Sequence, residues 1–296
     1  MTYTYQELYL ATKEMLRQTE GENAEFVARE LVAAATDRTV SQLVADFRMS
    51  VFQRDITRVD EMAKRYIKGE PMAYILGTWD FYGLKLKITP DVLIPRDDTE
   101  PVCALAIEMG KKSAASPRIL DLCCGSGCIG LAIASKIRTA KVTLADVSAP
   151  ALAIAKRNAQ DLKLGSRVSC VEVDALKPAP KFLGKYDLIV SNPPYVTARQ
   201  MQELAPSVKD FEPHLALYGG EDGLDFYRSI VKHYTSVLKP GGYLCFEFGM
   251  GQEADVCQIL MDGGYRLQRL VRDSGERARA VLAQLPPEDE DLPFHK

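Results

Sequence analysis

The chain has little of what membrane and nucleic-acid-binding proteins usually need. No apolar stretch in its 296 residues approaches the ~20 that span a bilayer, and the polar start Met1–Tyr5 gives no sign of a signal peptide. Basic residues number 37 against 40 acidic ones, for a formal net charge of −3. A large nonspecific nucleic-acid footprint normally needs a basic surface. We therefore expect no membrane association and no direct nucleic-acid binding.

Histidines and paired cysteine motifs are also scarce, which limits metal chemistry. The three histidines form no visible constellation. The seven cysteines are an odd number, and Cys170 and Cys245 lie in apolar runs, where a free thiol behaves as a small hydrophobic group. This usage predicts a reducing cytoplasm. Cys123, Cys124 and Cys128 cluster without paired C-x-x-C knuckles, so we interpret them as small loop residues rather than zinc ligands.

The length predicts two domains of the usual ~100–200 residues. Residues 1–75 have the start signals and apolar periodicity of a small helical bundle, with capping boxes at Thr4–Glu7 and Thr39–Gln42. The predicted helices run from Thr4 to Arg17, Ala24 to Ala35, Thr39 to Phe47 and Gln53 to Lys68, with a short turn at 72–77.

Residues 76–99 predict a β-hairpin linker. Trp79–Ile88, followed by Thr89-Pro90-Asp91 and Val92–Ile94, fits two short strands with a turn. From residue 100 to 286 strands alternate with helices, which predicts a parallel sheet, and the last two strands are expected to close it as an antiparallel pair. Residues 287–296 are acidic and proline-rich, and we expect a mobile tail.

The segment Asn192-Pro193-Pro194-Tyr195 carries the strongest chemical signal. It follows the apolar run Tyr186–Ser191, a predicted buried strand, so it lies where open α/β sheets bind ligands. Residues before proline are held extended, and proline has no N–H. The turn therefore offers the Asn192 side-chain oxygen and the Pro193 carbonyl as stiff acceptors beside the Tyr195 ring. This array suits a planar NH2 group; the plain alternative is an Asn-Pro turn with a solvent-facing tyrosine.

Upstream, Arg118–Gly130 predicts a strand, a tight glycine loop and a helix start. The loop satisfies G-x-G-x-x-G, so a dinucleotide site must be considered. S-adenosylmethionine is favoured because Asp121, at the strand end, would repel a pyrophosphate but suit a sulfonium and ammonium ligand. The candidate cofactor-binding residues here are Asp121, Cys123, Cys124, Gly125, Ser126 and Gly127.

Carboxylates also follow the next two predicted strands. Asp146 comes about 20 residues beyond the loop, where it can accept hydrogen bonds from both ribose hydroxyls of either cofactor. Asp174 follows Val168–Val173. For one aspartate a helix N-cap or a turn would be the better interpretation. Three at successive strand ends favour a binding site.

Asn192–Tyr195 resembles the catalytic motif of methyltransferases that use S-adenosylmethionine on planar amino groups. The stretch Gly77–Glu100 resembles the linker of the release-factor glutamine methyltransferases, and the resemblance covers nearly the whole chain, including Phe211-Glu212-Pro213 and Glu247-Phe248-Gly249. It implies an α/β, Rossmann-like class I methyltransferase fold. This fold has a mostly parallel seven-stranded sheet with a terminal antiparallel hairpin, a small N-terminal helical bundle and a β-hairpin linker.

The resemblance also implies site residues and a reaction. Asp174 and Ala175 would lie against the adenine, and Asn192 would also contact the cofactor. The reaction would move a methyl group from S-adenosylmethionine, leaving S-adenosylhomocysteine, to the glutamine amide nitrogen in the Gly-Gly-Gln motif of class 1 peptide chain release factors, supporting translation termination. Asn192, Pro193 and Tyr195 would be catalytic, and Asn192 to Tyr195 would bind the substrate. We assign no general base and no metal.

Two departures from the family pattern stand out. Asp97 replaces the usual proline, for which we expect a looser turn, and Cys123-Cys124 replaces the more common glycine-threonine version of the loop. Asp98-Thr99-Glu100 favours the release-factor branch over the enzyme for ribosomal protein glutamine. The plain alternative for Arg96 and Glu100 is an exposed salt pair.

Other functions remain open from the sequence. A nucleic-acid adenine methyltransferase would be expected to carry a target-recognition domain and a basic groove. An NAD-linked enzyme, or a cofactor-sensing module without transfer activity, is the third possibility. We expect a cytoplasmic monomer whose helical bundle docks a protein substrate.

Overall fold

The computed structural model describes residues 3–273 and 275–287. The chain divides into two units: Met1–Gly77 with Pro206–Phe211, and Thr78–Ala205 with Glu212–Lys296. The chain therefore leaves the second unit after Ala205 and returns to it at Glu212. The predicted tail, residues 287–296, lies outside the described residues from position 288 onward.

The first unit is helical, as the periodicity predicts. Both predicted capping boxes are present: the Thr4 hydroxyl accepts from the Glu7 amide at 3.2 Å, and Thr39 does the same for Gln42 at 3.2 Å. Apolar side chains from all five helices form one core, with Leu16, Leu31 and Leu43 fully buried. The helices are α1 (Tyr5–Glu20), α2 (Ala24–Ala35), α3 (Val40–Ala45), α4 (Gln53–Ile67) and α5 (Met72–Leu76).

The second unit begins with a β-hairpin made of β1 (Thr78–Phe81) and β2 (Leu84–Lys87). Its two-residue turn is Tyr82-Gly83, with φ of 50° and 77°, the left-handed conformation that suits the twist of a tight hairpin. Val92–Ile94, which the sequence analysis grouped with the hairpin, forms no strand. Pro90 cannot donate to a ladder, so pairing ends before it.

A seven-stranded sheet forms the centre of this unit, in the order β5-β4-β3-β6-β7-β9-β8. Pairing is parallel from β5 to β7, and β9 runs antiparallel to both β7 and β8, so the predicted sheet with its terminal antiparallel pair is confirmed. Its strands are β3 (Arg118–Leu122), β4 (Lys141–Asp146), β5 (Val168–Glu172), β6 (Tyr186–Ser191), β7 (Leu238–Glu247), β8 (Arg266–Arg272) and β9 (Ala278–Gln284).

The order of the strands creates a switch point between β3 and β6. The chain moves outward from β3 to β5 and then returns to the other side of β3. In open α/β sheets, ligands bind at the carboxyl ends of the strands beside such a reversal. All six residues of β6 are buried, as expected for a central strand.

Helices complete the unit around the sheet. The predicted helix from Leu224 ends at Tyr234, and a 3₁₀ turn over Thr235–Val237 leads directly into β7 at Leu238. None of the helices in the described ranges has the length and apolar character that a membrane span requires. The helices are α6 (Glu100–Ser113), α7 (Cys128–Lys136), α8 (Ala149–Asp161), α9 (Ala198–Glu203), α11 (Asp225–Tyr234) and α12 (Glu253–Asp262). The intervening α10 (Pro206–Lys209) belongs to the first unit.

We expect Thr4→Ala to lower the free energy of unfolding of the helical unit by about 1 kcal/mol, because it removes the acceptor for the first turn of α1. Urea unfolding followed by circular dichroism measures the change. The matched control is Thr57→Ala, an exposed position inside α4, where alanine should be tolerated within about 0.5 kcal/mol. Equal changes in both variants would contradict the capping role.

Candidate functional site

The Asn192–Tyr195 turn and the glycine loop meet at the switch point. Leu122 pairs with Ser191 in the parallel ladder of β3 and β6, so Cys123 and Asn192 emerge side by side. Both residues line one cavity of about 220 Å³. Among its other lining residues are Asp91, Val92, Leu93, Gly125, Asp146, Ser148, Val173, Asp174, Ala175, Leu176, Pro194, Pro213, Leu215, Ala216 and Phe226.

The cavity brings together most of the cofactor residues that the sequence predicts. Cys123, Gly125, Asp146, Asp174, Ala175 and Asn192 line it. The other four, Asp121, Cys124, Ser126 and Gly127, are buried and do not line it. The lining is mixed: carboxylates lie at the ends of β4 and β5, and apolar side chains surround them. Such a site suits a ligand with one polar and one flat apolar part.

Two carboxylates hold the glycine loop by its backbone. Asp146 accepts from the Gly125 amide, and Asp121 accepts from the Gly130 amide, both at 2.8 Å. A side chain at position 130 would place its Cβ 2.9 Å from the Asp121 carboxylate and 2.3 Å from Leu144, so only glycine fits. A dinucleotide site needs such amides for its pyrophosphate. Here they already face negative charge, which argues against a pyrophosphate ligand.

Asp121 has an unusual environment for a carboxylate. The residue is 1% exposed, and its Oδ1 atom has no hydrogen-bond partner among the described residues. Burial raises the pKa of Asp121 to about 7; the Gly130 amide opposes the rise, and the charge of Asp146 adds to it. A buried acceptor with a raised pKa is stabilised in its charged form by a nearby cation. Asp121 therefore fits a cationic ligand group.

Asn158 of α8 connects this loop to the hairpin and was missed by the sequence analysis. Its Nδ2 donates to the Ser126 carbonyl at 3.0 Å and to the Lys87 carbonyl at 3.1 Å, while its Oδ1 accepts from the Lys87 amide at 2.7 Å. One buried amide thus holds the end of β2 against the glycine loop. Helical periodicity places Asn158 on a face but gives no sign of these partners.

The Asn192 side chain forms a hydrogen bond beside the cavity. Its Nδ2 donates to the hydroxyl of Thr99, a buried residue, at 3.3 Å. With the amide nitrogen directed to Thr99, the amide oxygen is the atom available to a ligand in the cavity. The sequence predicts the Asn192 oxygen as an acceptor, but it gives no sign that Thr99 bonds the amide nitrogen.

Tyr195 lies deeper than the sequence indicates. Its ring packs on Gly249, where an added Cβ would be 2.9 Å from Cδ2, and its carbonyl accepts from Gln252 at 3.0 Å. Burial and the nearby Glu247 raise the pKa of the Tyr195 phenol above its ordinary value. Tyr195 lines a neighbouring cavity of about 310 Å³ with residues that include Gln200 and Met250.

Arg96 pairs with a buried carboxylate that directly precedes Pro213 of the cavity wall. The plain alternative, an exposed salt pair between Arg96 and Glu100, does not hold: Arg96 pairs with Glu212, whose side chain is 1% exposed. Glu100 instead occupies the first turn of α6, where a carboxylate suits the helix dipole. Glu212 also accepts from the Ile94 amide at 3.2 Å. It therefore joins the segment that contributes residues 91–93 to the cavity and the segment that contributes Pro213, Leu215 and Ala216.

No metal centre emerges from the part of the chain that the structure describes. Within it, no three His, Cys, Asp or Glu side chains are grouped to hold an ion. All seven cysteines are free thiols, and burial raises the pKa of Cys123 and Cys124 well above the ordinary value. Such thiols are poor nucleophiles and poor metal ligands.

Comparisons with known proteins agree with this geometry. Residues 103–208 match a family model described as Methyltransferase small domain, and residues 7–77 match the PrmC N-terminal domain. The chain is 38% identical to a release factor glutamine methyltransferase of Geobacter sulfurreducens, over 86% of this chain and 87% of that one. It is also 38% identical to the enzyme of the same name from Bradyrhizobium diazoefficiens, over 92% of each chain.

A solved structure supports the fold independently. The hMettl16 catalytic domain, crystallised in complex with the MAT2A 3'UTR hairpin 6, aligns with a TM-score of 0.56 at 17% identity. The alignment covers 72% of this chain and 79% of that domain. At this identity the likeness shows a shared class I methyltransferase fold and nothing about the ligand.

We expect Glu212→Gln to lower the free energy of unfolding by about 1–3 kcal/mol, because it removes a buried charge that Arg96 and the Ile94 amide both use. Equilibrium urea unfolding measures the change. Glu203→Gln is the matched control: its pairing with Arg199 is solvent-exposed, so we expect a change within about 0.5 kcal/mol. Similar stability of both variants would show that Glu212 does not hold the wall.

Proposed function

The chain belongs to the release factor glutamine methyltransferase family, and we propose that its cavity binds S-adenosylmethionine beside a glutamine side chain of the substrate. The product is glutamine methylated on its amide nitrogen in the Gly-Gly-Gln motif of class 1 peptide chain release factors. The observation that carries this proposal is the Asn192 amide, which lines the cavity with its nitrogen bonded to Thr99. We further propose that the enzyme acts as a cytoplasmic monomer on protein rather than nucleic acid.

The task of the turn is to activate a poor nucleophile. The lone pair of a glutamine amide nitrogen is delocalised into its carbonyl group. The Asn192 oxygen and the Pro193 carbonyl can accept hydrogen bonds from its two N–H groups and so orient the nitrogen. Because Thr99 and the two prolines fix both acceptors before the substrate arrives, little reorganisation is needed in the transition state. The Tyr195 ring, packed on Gly249, completes the rigid rim.

Three carboxylates each suit a different part of the cofactor. S-adenosylmethionine supplies an electrophilic methyl group on a sulfonium. Asp121 does not line the cavity, but its Oδ1 has no partner among the described residues and its negative charge behind the glycine loop suits the ammonium group. Asp146 lines the cavity and can accept hydrogen bonds from the ribose hydroxyls. Asp174 and Ala175 line the cavity together with the apolar side chains of Leu176 and Phe226, a combination that suits adenine.

Release of a proton from the amide needs no strong base. Methylation places positive charge on a nitrogen that still carries two protons, which makes one of them acidic enough for water to accept and leaves one on the methylated amide. His214 and His233 do not line the cavity. The chain's own contribution to the rate is therefore positioning and electrostatic preorganisation.

Mass spectrometry of a release factor incubated with the protein and S-adenosylmethionine tests the function. We expect one added methyl group, located on the glutamine of the Gly-Gly-Gln motif. A release factor with that glutamine replaced by glutamate should gain none. Duplex DNA and ribosomal protein serve as competing substrates in the same assay. Methylation of either in preference to the release factor would reject the proposal.

We expect Asn192→Ala to lower kcat about 10²–10³-fold, because the substrate nitrogen loses a preorganised acceptor. Cofactor binding, measured by isothermal titration, should weaken only modestly. Tyr195→Ala should have a smaller effect on kcat, since the ring orients but does not polarise the amide. Gln258→Ala removes an exposed amide from α12 and is the matched control. Wild-type turnover by Asn192→Ala would defeat the assignment.

We expect cofactor affinity to increase as the pH rises from about 6 to about 7.5, because a cation binds the ionised form of Asp121. The pKa of Asp121 is about 7 without ligand. Below it, binding must release a proton, so the apparent affinity should fall up to about tenfold per pH unit. Isothermal titration with S-adenosylhomocysteine measures this.

Asp121→Asn should bind more weakly and show no such pH dependence. Asp187→Asn is the control, since that buried carboxylate lies at the start of β6, away from the cavity. An unchanged pH profile in Asp121→Asn would mean that another group titrates.

A further inference from the structure

Glu247 is a buried acid beside the proposed substrate site, and the mechanism above does not use it. It is the last residue of β7, the strand that pairs with β6. Ser191 pairs with Phe246, so Glu247 and Asn192 come next on adjacent parallel strands. The residue is 2% exposed, and its Oε2 atom has no partner among the described side chains and backbone.

Glu247 lies beside the residues that hold the substrate acceptor. The side chains of Thr99 and Asn192 are close enough to lower the pKa of its carboxyl group. Asn192 itself donates to Thr99. The three side chains therefore form one small cluster: a carboxyl group, a hydroxyl group and an amide. Only the amide reaches the cavity.

This cluster matters because an asparagine amide is nearly symmetric in shape but not in polarity. Turned by 180°, Asn192 would present its NH2 group to the NH2 group of the substrate, which is repulsive. Thr99 alone cannot prevent this, since a hydroxyl group can donate to the amide oxygen as well as accept from the nitrogen. An ionised carboxylate accepts only, and so it selects the nitrogen.

We propose that Glu247 is a positioning residue, which keeps the Asn192 amide oxygen directed at the substrate by accepting from the amide nitrogen. The inference rests on the proposed function, because the orientation of Asn192 is relevant only if an N–H group is its ligand. Glu247 contacts neither substrate nor cofactor in this scheme, and it acts through Asn192.

The charges around Glu247 determine how it titrates. Burial raises the pKa of Glu247 to about 8; Thr99, Arg279 and Asn192 oppose the rise, and Asp98 adds to it. Arg279 is itself paired with Asp98 and Asp273, at 2.7 and 3.0 Å. The other titratable groups nearby are the Tyr195 and Tyr227 phenols and the Cys128 thiol, and burial raises the pKa of all three.

Ionisation of Glu247 should therefore increase the rate. As the methyl group moves, positive charge passes from sulfur to the substrate nitrogen, toward Asn192 and Glu247. The ionised carboxylate both holds the amide more firmly and stabilises this charge. We expect kcat of the wild-type enzyme to rise through about pH 8 and then level off.

Two variants test the role of the side chain. Glu247→Met keeps the length of the side chain and removes its hydrogen-bonding atoms, of which Oε2 has no partner among the described residues. We expect kcat to fall by about 30-fold or more, with the Kd for S-adenosylhomocysteine within about threefold. At about pH 7 most of the wild-type carboxyl group is protonated and, like glutamine, both donates and accepts, so Glu247→Gln should have kcat within about threefold of wild type. Its kcat should not rise with pH, because glutamine cannot become a group that only accepts. Asp187→Asn is the matched control and should retain the wild-type pH profile.

The outcomes separate this inference from the proposed function. If wild type transfers no methyl group to glutamine, the proposed function fails. If wild type and Glu247→Met transfer it equally fast, or if Glu247→Gln is as slow as Glu247→Met, only the positioning role fails. A rise with pH that persists in Glu247→Gln would likewise overturn it.

A spectroscopic readout does not depend on activity. The side-chain amide signals of Asn192 can be assigned by their absence in Asn192→Ala. In ¹⁵N spectra of the wild-type protein we expect them to shift with an apparent midpoint of about pH 8, and to stay unchanged in Glu247→Gln. Signals that do not titrate in wild type would overturn the proposal.

Discussion

The parallel pairing of β3 with β6 is the constraint on which the site depends. Hydrogen bonding fixes their register, with Leu122 opposite Ser191, and the two strands therefore end at the same level. Everything that follows these ends is brought to one cavity: the glycine loop on one side and the Asn192–Tyr195 turn on the other. The two segments are about 70 residues apart in the chain, so the sheet alone makes them neighbours. A shift of the register by one residue would turn the side chains to opposite faces and separate the carboxylates from the amide acceptor.

At this edge of the sheet, buried polar groups are hydrogen-bonded to one another, and the few atoms without a partner lie in or beside the proposed site. Carboxylates accept from the loop amides, Asn158 connects hairpin and loop, and Glu212 joins two segments of the wall. Three buried side-chain atoms within the described residues have no partner: Asp121 Oδ1, Ser126 Oγ and Glu247 Oε2. Two of them belong to acids whose pKa burial raises to about 7 and about 8. Buried polar atoms without partners are expensive in a folded protein, and strongly shifted acids concentrate at functional sites.

Local patterns were sufficient for the fold and for the chain segments of the site, but not for the partners of individual side chains. Capping boxes, strand runs and the glycine loop predicted most elements within a few residues, because those signals depend on near neighbours along the chain. The hairpin turn at Tyr82-Gly83 was less evident, since a tyrosine rarely adopts a positive φ. Thr99, Glu212 and Glu247 could not be connected to Asn192 and Arg96, because these contacts join residues 55 to 116 positions apart. The sequence analysis quoted all three only as parts of family motifs, and tertiary structure gives them their roles.

Pro206–Phe211 belongs to the helical unit although it lies between two stretches of the second unit, and this limits where the chain can be cut. This stretch lies in the segment that connects the Asn192–Tyr195 turn to Glu212, yet it clusters with the helical unit, where Phe211 lies close to Gly69. A cut at the apparent boundary after Gly77 would thus not release an intact catalytic half. It would remove the packing partner of a loop that leads directly into the cavity wall at Pro213. The two units are interleaved along the polypeptide, so an insertion or fusion between them must take account of three chain crossings rather than one.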